Sequence, residues 1–248
     1  MKILLLNPNT SEVLTTQLVE VATRYAAAGT EIVPATGAYG VPYIANRAEA
    51  VIGASAALDI LAQQHGQVDG AILAAFGDPG LGAARELFDI PIVGLAEAGM
   101  LTACMLGKKF AIVTFSTALG AWYQECVEWN QLQDRCCAIR MLDQPFKSIG
   151  AVREEKEDLL AELALAAVKE NGADVIVLAG APLSGLADRI RHRVPVPMID
   201  CCAAAIKQIE GLVSLNLKAP ETGTYRRPGA KDTRGLSAAL AARIEHRS

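Results

Sequence analysis

Apolar and polar positions form blocks that predict strands, loops and helices, most clearly between residues 69 and 98. The apolar run 71–75 is long enough for a buried strand, and the turn-forming residues 76–80 end it. Residues 81–87 favour a helix, and a second apolar run ends at Glu97. A strand, a loop, a helix and a strand in this order are typical of a parallel sheet, which binds small molecules in the loops after its strands.

The rest of the chain repeats this alternation. The connections at 36–46 and 143–150 are long, and loops of this length commonly wall or cover a site. Residues 222–233 form a polar segment near the end of the chain. The other predicted elements are strands at 2–6, 31–34, 109–113 and 136–141, and helices at 11–27, 47–64, 99–106, 118–131, 154–171, 201–212 and 236–246.

The strand-loop-helix-strand unit occurs twice. Asp69 matches Asp174 and Gly80 matches Gly185, at the same spacing of 105 residues. The first strand of the chain similarly matches the strand that begins at Lys109. Two apolar strands can align by chance, but several matching features in the same order favour an internal duplication.

We therefore predict an α/β fold with two pseudo-symmetric, Rossmann-like lobes whose sheets are mainly parallel. The first lobe would contain residues 1–98 and about 208–248, because the last helix is expected to cross back onto the first half, and the second would contain 99–207. Strand ends from both halves would converge on a cleft between the lobes. These strand ends are 7–11, 75–78, 114–117 and 180–182.

Composition narrows the class of partner. The chain has 248 residues, of which 52% are hydrophobic and 20% charged, so it is long enough and apolar enough for a buried core. Its net charge is −4 and no basic cluster occurs, which argues against a nucleic-acid partner. We expect a small-molecule ligand instead.

The cysteines and the start of the chain indicate a reducing compartment. The six cysteines include two adjacent pairs and no C-x-x-C spacing, which fits reduced, buried thiols better than a disulfide framework or a zinc site. The first predicted strand follows Met1 and Lys2 directly, and no apolar run approaches about 20 residues. We expect a cytoplasmic protein without a membrane segment or a metal.

The loop after the first strand is a candidate anion or carbonyl site. Thr10 or Ser11 would cap the helix that follows, and Glu12 would support its dipole. Free backbone N–H groups and hydroxyls at a helix N-terminus bind anions and carbonyl groups. Capping alone is the simpler interpretation, and the two roles are compatible.

Five segments carry a resemblance to a known family: NPNTS, FGDPGL, PIVGLAEAG, VIVLAGAPLSGLA and GTYRRPGAK with TRGL. In this order, over nearly the whole chain, they resemble the hydantoin/allantoin racemase branch of the aspartate/glutamate racemase superfamily. The resemblance implies two Rossmann-like lobes and a site at their interface that needs no cofactor. It also implies cyclic ureide or hydantoin-like substrates and a homo-oligomer.

The chain departs from this family at two positions. The resemblance implies a cysteine directly before FGDPGL and a second one at the equivalent strand end of the other half, acting as an acid/base pair. Ala75 and Gly180 stand there, so racemisation by two thiols cannot proceed through these positions. Decarboxylases of the superfamily keep the second cysteine, which this chain also lacks. The smaller side chains predict a wider pocket with a larger or differently oriented ligand.

Three residues are candidates for the missing acid and base. Cys201 would open a helix whose dipole lowers the pKa of a thiol, although a buried structural thiol is the simpler interpretation. Asp78 could act as a base or only stabilise its turn, and Glu97 lies at the matching point of the first half. Ser116 and Ser184 could donate hydrogen bonds to an oxyanion.

Other groups are expected only to bind the substrate. Hydroxyl and amide side chains would orient it, and the loop backbone around Gly77 would bind a carbonyl or carboxylate oxygen. The aromatic residues of the helix at 118–131, including Trp122 and Tyr123, are expected to pack in the core. The predicted substrate-binding residues are Asn7, Asn9, Thr10, Ser11, Ala75, Phe76, Gly77, Thr114, Ser116, Thr117, Gly180, Ala181 and Pro182.

Three functions remain open from the sequence. The first is a cofactor-independent isomerase, related to hydantoin racemases, whose acid and base groups have moved. The second is a hydrolase, lyase or decarboxylase that uses the same oxyanion-binding loops. The third is a small-molecule binder without turnover.

Overall fold

Two four-stranded parallel sheets organise the computed structural model, which describes residues 1–247. The strand order is β2-β1-β3-β4 in the first sheet and β6-β5-β7-β8 in the second, so the two topologies are the same and the predicted α/β fold with two lobes is confirmed. The strands are β1 (Lys2–Asn7), β2 (Glu31–Thr36), β3 (Gly70–Leu73), β4 (Ile92–Gly94), β5 (Phe110–Thr114), β6 (Cys136–Met141), β7 (Val175–Leu178) and β8 (Met198–Asp200).

The strand register preserves the duplication seen in the sequence. Ile3 pairs with Gly70 in the first sheet, and Phe110 pairs with Val175 at the equivalent place in the second. Each repeat also begins with the same hydrogen bond from a backbone N–H to an aspartate side chain. Asp69 Oδ2 accepts a hydrogen bond from the backbone N–H of Lys2 (2.7 Å), and Asp174 Oδ2 accepts one from that of Lys109 (2.9 Å).

The central strands are apolar because both of their faces are covered by helices. In β1, β3, β5 and β7 nearly every residue is buried, whereas the edge strands β2 and β6 are half-buried. The helices are α1 (Glu12–Tyr25), α2 (Arg47–Gln63), α3 (Leu81–Leu87), α4 (Leu95–Leu106), α5 (Gly120–Trp129), α6 (Val152–Glu155), α7 (Glu157–Asn171), α8 (Leu186–Ile190), α9 (Cys201–Ser214) and α10 (Ala238–Ile244).

Several predicted element boundaries differ from the structure, most clearly in two places. The apolar run after α3 ends as a strand at Gly94 rather than at Glu97, and α4 begins at Leu95. The helix predicted at 154–171 starts earlier, as α6, and is interrupted at Lys156, whose backbone leaves helical geometry.

Helices α4 and α9 cross between the sheets. Helix α4 follows the first sheet but packs on the second, where a Cβ at Gly99 would lie 3.3 Å from Val177 Cγ1. Helix α9 follows the second sheet but packs on the first, where a Cβ at Gly70 would lie 3.0 Å from Ile209 Cδ1. These close approaches join the two sheets, and the division of the chain at residues 98 and about 207 stays a prediction.

The last helix lies against the first sheet. Leu240 of α10 joins a buried cluster with Leu4 and Leu6 of β1, and Arg243 bonds to His65 after α2 (2.8 Å). No helix within residues 1–247 combines the length and the apolar character that crossing a membrane requires.

Candidate functional site

The carboxyl ends of the central strands of both sheets meet at one small pocket with a cavity volume of about 20 Å³. Asn9 and Phe76 reach it from the loops after β1 and β3, and Phe115 and Ala181 from the loops after β5 and β7. This is the place at which open parallel sheets bind ligands. The complete lining is Asn9, Leu14, Tyr43, Ile44, Ala75, Phe76, Phe115, Trp122, Tyr123, Gly180, Ala181 and Pro182.

Ala75 and Gly180 line this same pocket, one from each repeat. Gly180 has φ +114°, a backbone conformation that residues other than glycine rarely adopt. A Cβ built on it would lie 2.9 Å from Phe115 Cε1 and 3.5 Å from the Tyr123 hydroxyl. The space beside residue 180 is therefore filled by these two aromatic side chains.

A hydrogen-bond network orients Asn9. Asn7 is fully buried and donates from Nδ2 to Asn9 Oδ1 (2.9 Å) and to Thr15 Oγ1 (3.1 Å). The backbone N–H of Ser11 also donates to Asn9 Oδ1 (2.9 Å). Because the amide oxygen of Asn9 is engaged with its own loop, its NH₂ group is the part that can donate to a ligand.

Aromatic side chains form the walls of the pocket. Tyr43, from the loop 36–46, stacks against Phe115 with ring centroids 5.8 Å apart, and Phe146, from the loop 143–150, contacts both. On the other side, Phe76 and Tyr123 are 4.5 Å apart. The two long loops thus meet over the pocket, and the closed pocket has room for about one water molecule.

The pocket contains two titratable groups, both of them tyrosines. Burial raises the pKa of Tyr43 above its ordinary value, the charge of Glu49 adds to the rise, and the neighbouring Ser116 hydroxyl acts in the opposite direction. Burial likewise raises the pKa of Tyr123, and the neighbouring Thr114 hydroxyl acts in the opposite direction. Both phenols are therefore protonated at neutral pH and are hydrogen-bond donors rather than bases.

Asp78 lies beside the pocket but caps a helix. Its Oδ1 accepts from the backbone N–H of Ala96 (2.9 Å) and its Oδ2 from that of Glu97 (2.8 Å), which satisfies the N-terminus of α4. Burial raises the pKa of Asp78 to about 7, although these two hydrogen bonds favour the charged form. The carboxyl occupies the space that a side chain at Gly94 would need.

Glu97 lies outside the pocket. Both of its carboxylate oxygens bind the guanidinium of Arg85, at 2.9 Å for the Oε1 contact, and both side chains are about one-fifth exposed. Arg85 also donates to the carbonyl of Ile92. The geometry therefore gives Glu97 a partner in an ion pair and no contact with a pocket ligand.

Cys201 is buried between α4 and the second sheet. Its thiol donates to the carbonyl of Leu178 (3.2 Å), and a Cβ at Gly99 would approach its sulfur to 2.6 Å. The expected lowering of its pKa is wrong, because burial and the nearby Asp200 carboxylate raise the pKa of this thiol well above its ordinary value. All six cysteines are free, three buried and three half-buried.

The remaining predicted residues serve mainly the loops. The N–H of Thr10 donates to Val41, Ser11 caps α1, and Ser116 caps a short 3₁₀ turn at Thr117–Leu119. Thr114 donates to the carbonyl of Ala179 (2.9 Å). None of these side chains lines the pocket; the same is true of Asn7, Gly77, Thr117 and Ser184, whereas Asn9, Ala75, Phe76, Gly180, Ala181 and Pro182 line it.

Sequence analysis missed most of the aromatic lining. Trp122 and Tyr123 do pack in the core as expected, yet both also face the pocket. For Tyr43 the sequence predicted only that its loop, 36–46, is long enough to wall or cover a site. In the structure Gly77 and Gly180 have positive φ, and the indole of Trp122 and the ring of Phe115 fill the space beside them; the sequence contains no signal for this packing.

Comparison with known proteins agrees with the architecture. The family model Asp/Glu/Hydantoin racemase matches residues 3–209. A hydantoin racemase from Pseudomonas sp. (strain NS671) is 30% identical over 233 residues, covering 94% of each chain. The structure of an allantoin racemase from Klebsiella pneumoniae superposes with a TM-score of 0.91 at 33% identity, covering 97% of this chain and 98% of the other. The structure of an allantoin racemase from Pseudomonas fluorescens superposes with a TM-score of 0.89 at 30% identity, covering 95% of this chain and 100% of the other.

Proposed function

The chain belongs to the Asp/Glu/hydantoin racemase family, and we propose that it is a cofactor-independent isomerase acting on a small hydantoin-like cyclic amide or carboxylic acid. One observation carries the proposal: Ala75 and Gly180, from equivalent loops of the two repeats, line a single pocket between the sheets. Aromatic walls and hydrogen-bond donors suit a small ring that carries carbonyl oxygens.

The chemistry of this pocket differs from that of a thiol pair. Exchange of a proton next to a carbonyl needs an acid, a base and donors to the enolate oxygen. The lining offers donors in Asn9, Tyr43 and Tyr123 but no cysteine, histidine or carboxylate. We therefore propose slow proton exchange, in which a solvent water or hydroxide removes the α-proton and returns a proton to the same carbon, and stabilisation of the enolate oxygen contributes most of the rate acceleration.

Hydrogen–deuterium exchange tests this activity directly. In D₂O, the protein is expected to accelerate loss of the ring α-proton signal of 5-methylhydantoin, 5-benzylhydantoin or allantoin, as followed by NMR, above the rate in buffer and with heat-inactivated protein. No acceleration with any of the three compounds would count against an isomerase.

Restoring thiols sharpens the test. The double variant A75C/G180C is expected to exchange these protons faster than the natural chain if the pocket binds the ring between the two positions. The control is A75S/G180A, which imposes the same backbone strain at residue 180 without a thiol. Equal rates for the two variants would place the ring elsewhere.

A second candidate, a binding protein without turnover, is favoured by the raised pKa of both pocket tyrosines, which leaves no base in the lining. If the protein is such a binder, we expect a compound that raises the melting temperature of the protein and is recovered chemically unchanged after prolonged incubation with it. A hydrolase, lyase or decarboxylase would instead convert the compound to a new product.

We further propose a cytoplasmic location and a homo-oligomer. The six free cysteines suit a reducing compartment, and the oligomeric state follows from the family resemblance. Light scattering of the purified chain measures that state.

A further inference from the structure

The hydroxyl oxygen of Tyr43 is buried at the pocket and makes no hydrogen bond of normal geometry among the described residues, although the nearby Ser116 hydroxyl acts to lower its pKa. Leaving a buried hydroxyl unsatisfied costs free energy, so such groups normally meet a partner that the fold itself does not supply. The ring of Tyr43 packs against both Phe115 and Phe146, which limits the positions that the hydroxyl can take.

Tyr123 approaches the same pocket from the second repeat. Its hydroxyl lies 3.5 Å from the point at which a Cβ on residue 180 would stand. The phenol therefore occupies the region into which a side chain at 180 would project. Tyr123 is 2% exposed and its ring packs on Phe76, so this position is also defined by the fold.

Asn9 completes a set of donors. The Asn7 amide and the Ser11 N–H hold its oxygen, and no acceptor in the described chain bonds to its Nδ2. Three side chains from three different loops or helices thus present N–H or O–H groups to one pocket, and no negatively charged side chain lines it.

We propose that Tyr43, Tyr123 and Asn9 form an oxygen-binding cluster that donates hydrogen bonds to a carbonyl or enolate oxygen of the ligand, with Tyr123 replacing a side chain at residue 180 as the polar group on that side. The inference rests on the proposed function for the identity of the ligand. It deepens that function by selecting ligands with acceptor oxygens on a flat ring, which would lie between the aromatic walls once the loops 36–46 and 143–150 move apart to admit it.

The variants Y43F and Y123F test the cluster, because each removes one hydroxyl and keeps the ring. The matched control is Y39F: Tyr39 lies in the same loop as Tyr43, but its hydroxyl bonds to Ser55 and Asp59 outside the pocket. Thermal melts first establish that all three variants are folded. With 5-methylhydantoin as the probe, calorimetry is expected to show binding weakened about three- to tenfold in Y43F and in Y123F and unchanged in Y39F.

A second readout does not need the probe. High-resolution crystal structures of the natural chain are expected to show an ordered oxygen, of water or solute, within hydrogen-bond distance of Tyr43 Oη, and Y43F is expected to lose it. If the probe binds but both variants bind it equally well, the cluster is overturned while the proposed function stands. If the probe fails to bind but the ordered oxygen is present at Tyr43 Oη, the proposed ligand class is overturned and the cluster stands. If the probe fails to bind and no ordered oxygen is seen, the ligand class and the cluster are both overturned.

Discussion

Asp78 and Asp200 cap the equivalent helix in the two repeats, although they stand at different positions in the repeated unit. In the second repeat, Asp200 at the end of β8 caps α9 through Cys202 (3.0 Å) and reaches the N–H of Gly185 (2.6 Å) in the loop after β7. In the first repeat, the equivalent strand end is Gly94, and Asp78 reaches across from the loop to cap α4. One buried carboxylate thus joins loop and helix in each lobe.

The buried carboxyl of Asp78 makes stability depend on pH. Its pKa rises from 3.8 unfolded to about 7 folded, so the folded state binds more protons between these values and the free energy of unfolding falls as pH rises through that window. In D78N this fall is expected to be smaller. Urea unfolding at pH 5 and pH 8 measures it, and comparison of the two proteins separates Asp78 from His65, whose lowered pKa acts in the opposite direction. An identical pH dependence in D78N would contradict the assignment.

At the scale of elements, the sequence predicted what local patterns encode. The central strands are continuous apolar runs because both of their faces are covered, and α3 was predicted at its observed bounds, Leu81–Leu87. The start of α4 was missed because its cap, Asp78, lies in a different loop. Tyr43 and Tyr123 were missed as pocket residues because nothing local shows which face of a loop or helix meets the other lobe.

The contact between α4 and α9 determines what Cys201 does. Because its thiol is buried against Gly99 and bonded to Leu178, C201A is expected to lower the free energy of unfolding by about 1 kcal/mol through lost packing. Proton exchange and probe binding are expected to stay unchanged, with C126A, another buried thiol, as the control. Loss of exchange in C201A at unchanged stability would assign Cys201 a role in the reaction.

At the scale of the whole molecule, the duplication places the pocket between the two repeats, where loops from both line it. Equivalent loops bring residues 75 and 180 together, and the exchanged helices α4 and α9 hold the sheets in that relation. The spacing of 105 residues made this meeting predictable before any coordinates. The rings of Tyr43, Trp122 and Tyr123 were not predictable as pocket walls, since they enter from a loop and a helix outside the repeated strand ends.

A crystal structure of the chain grown with 5-methylhydantoin tests the central claim most directly. The account predicts ring density between Ala75 and Gly180, with a ring oxygen within hydrogen-bond distance of Tyr43 or Tyr123. Density for the compound only in another groove, such as the one beside Trp129, with the pocket between the sheets unchanged, would contradict it.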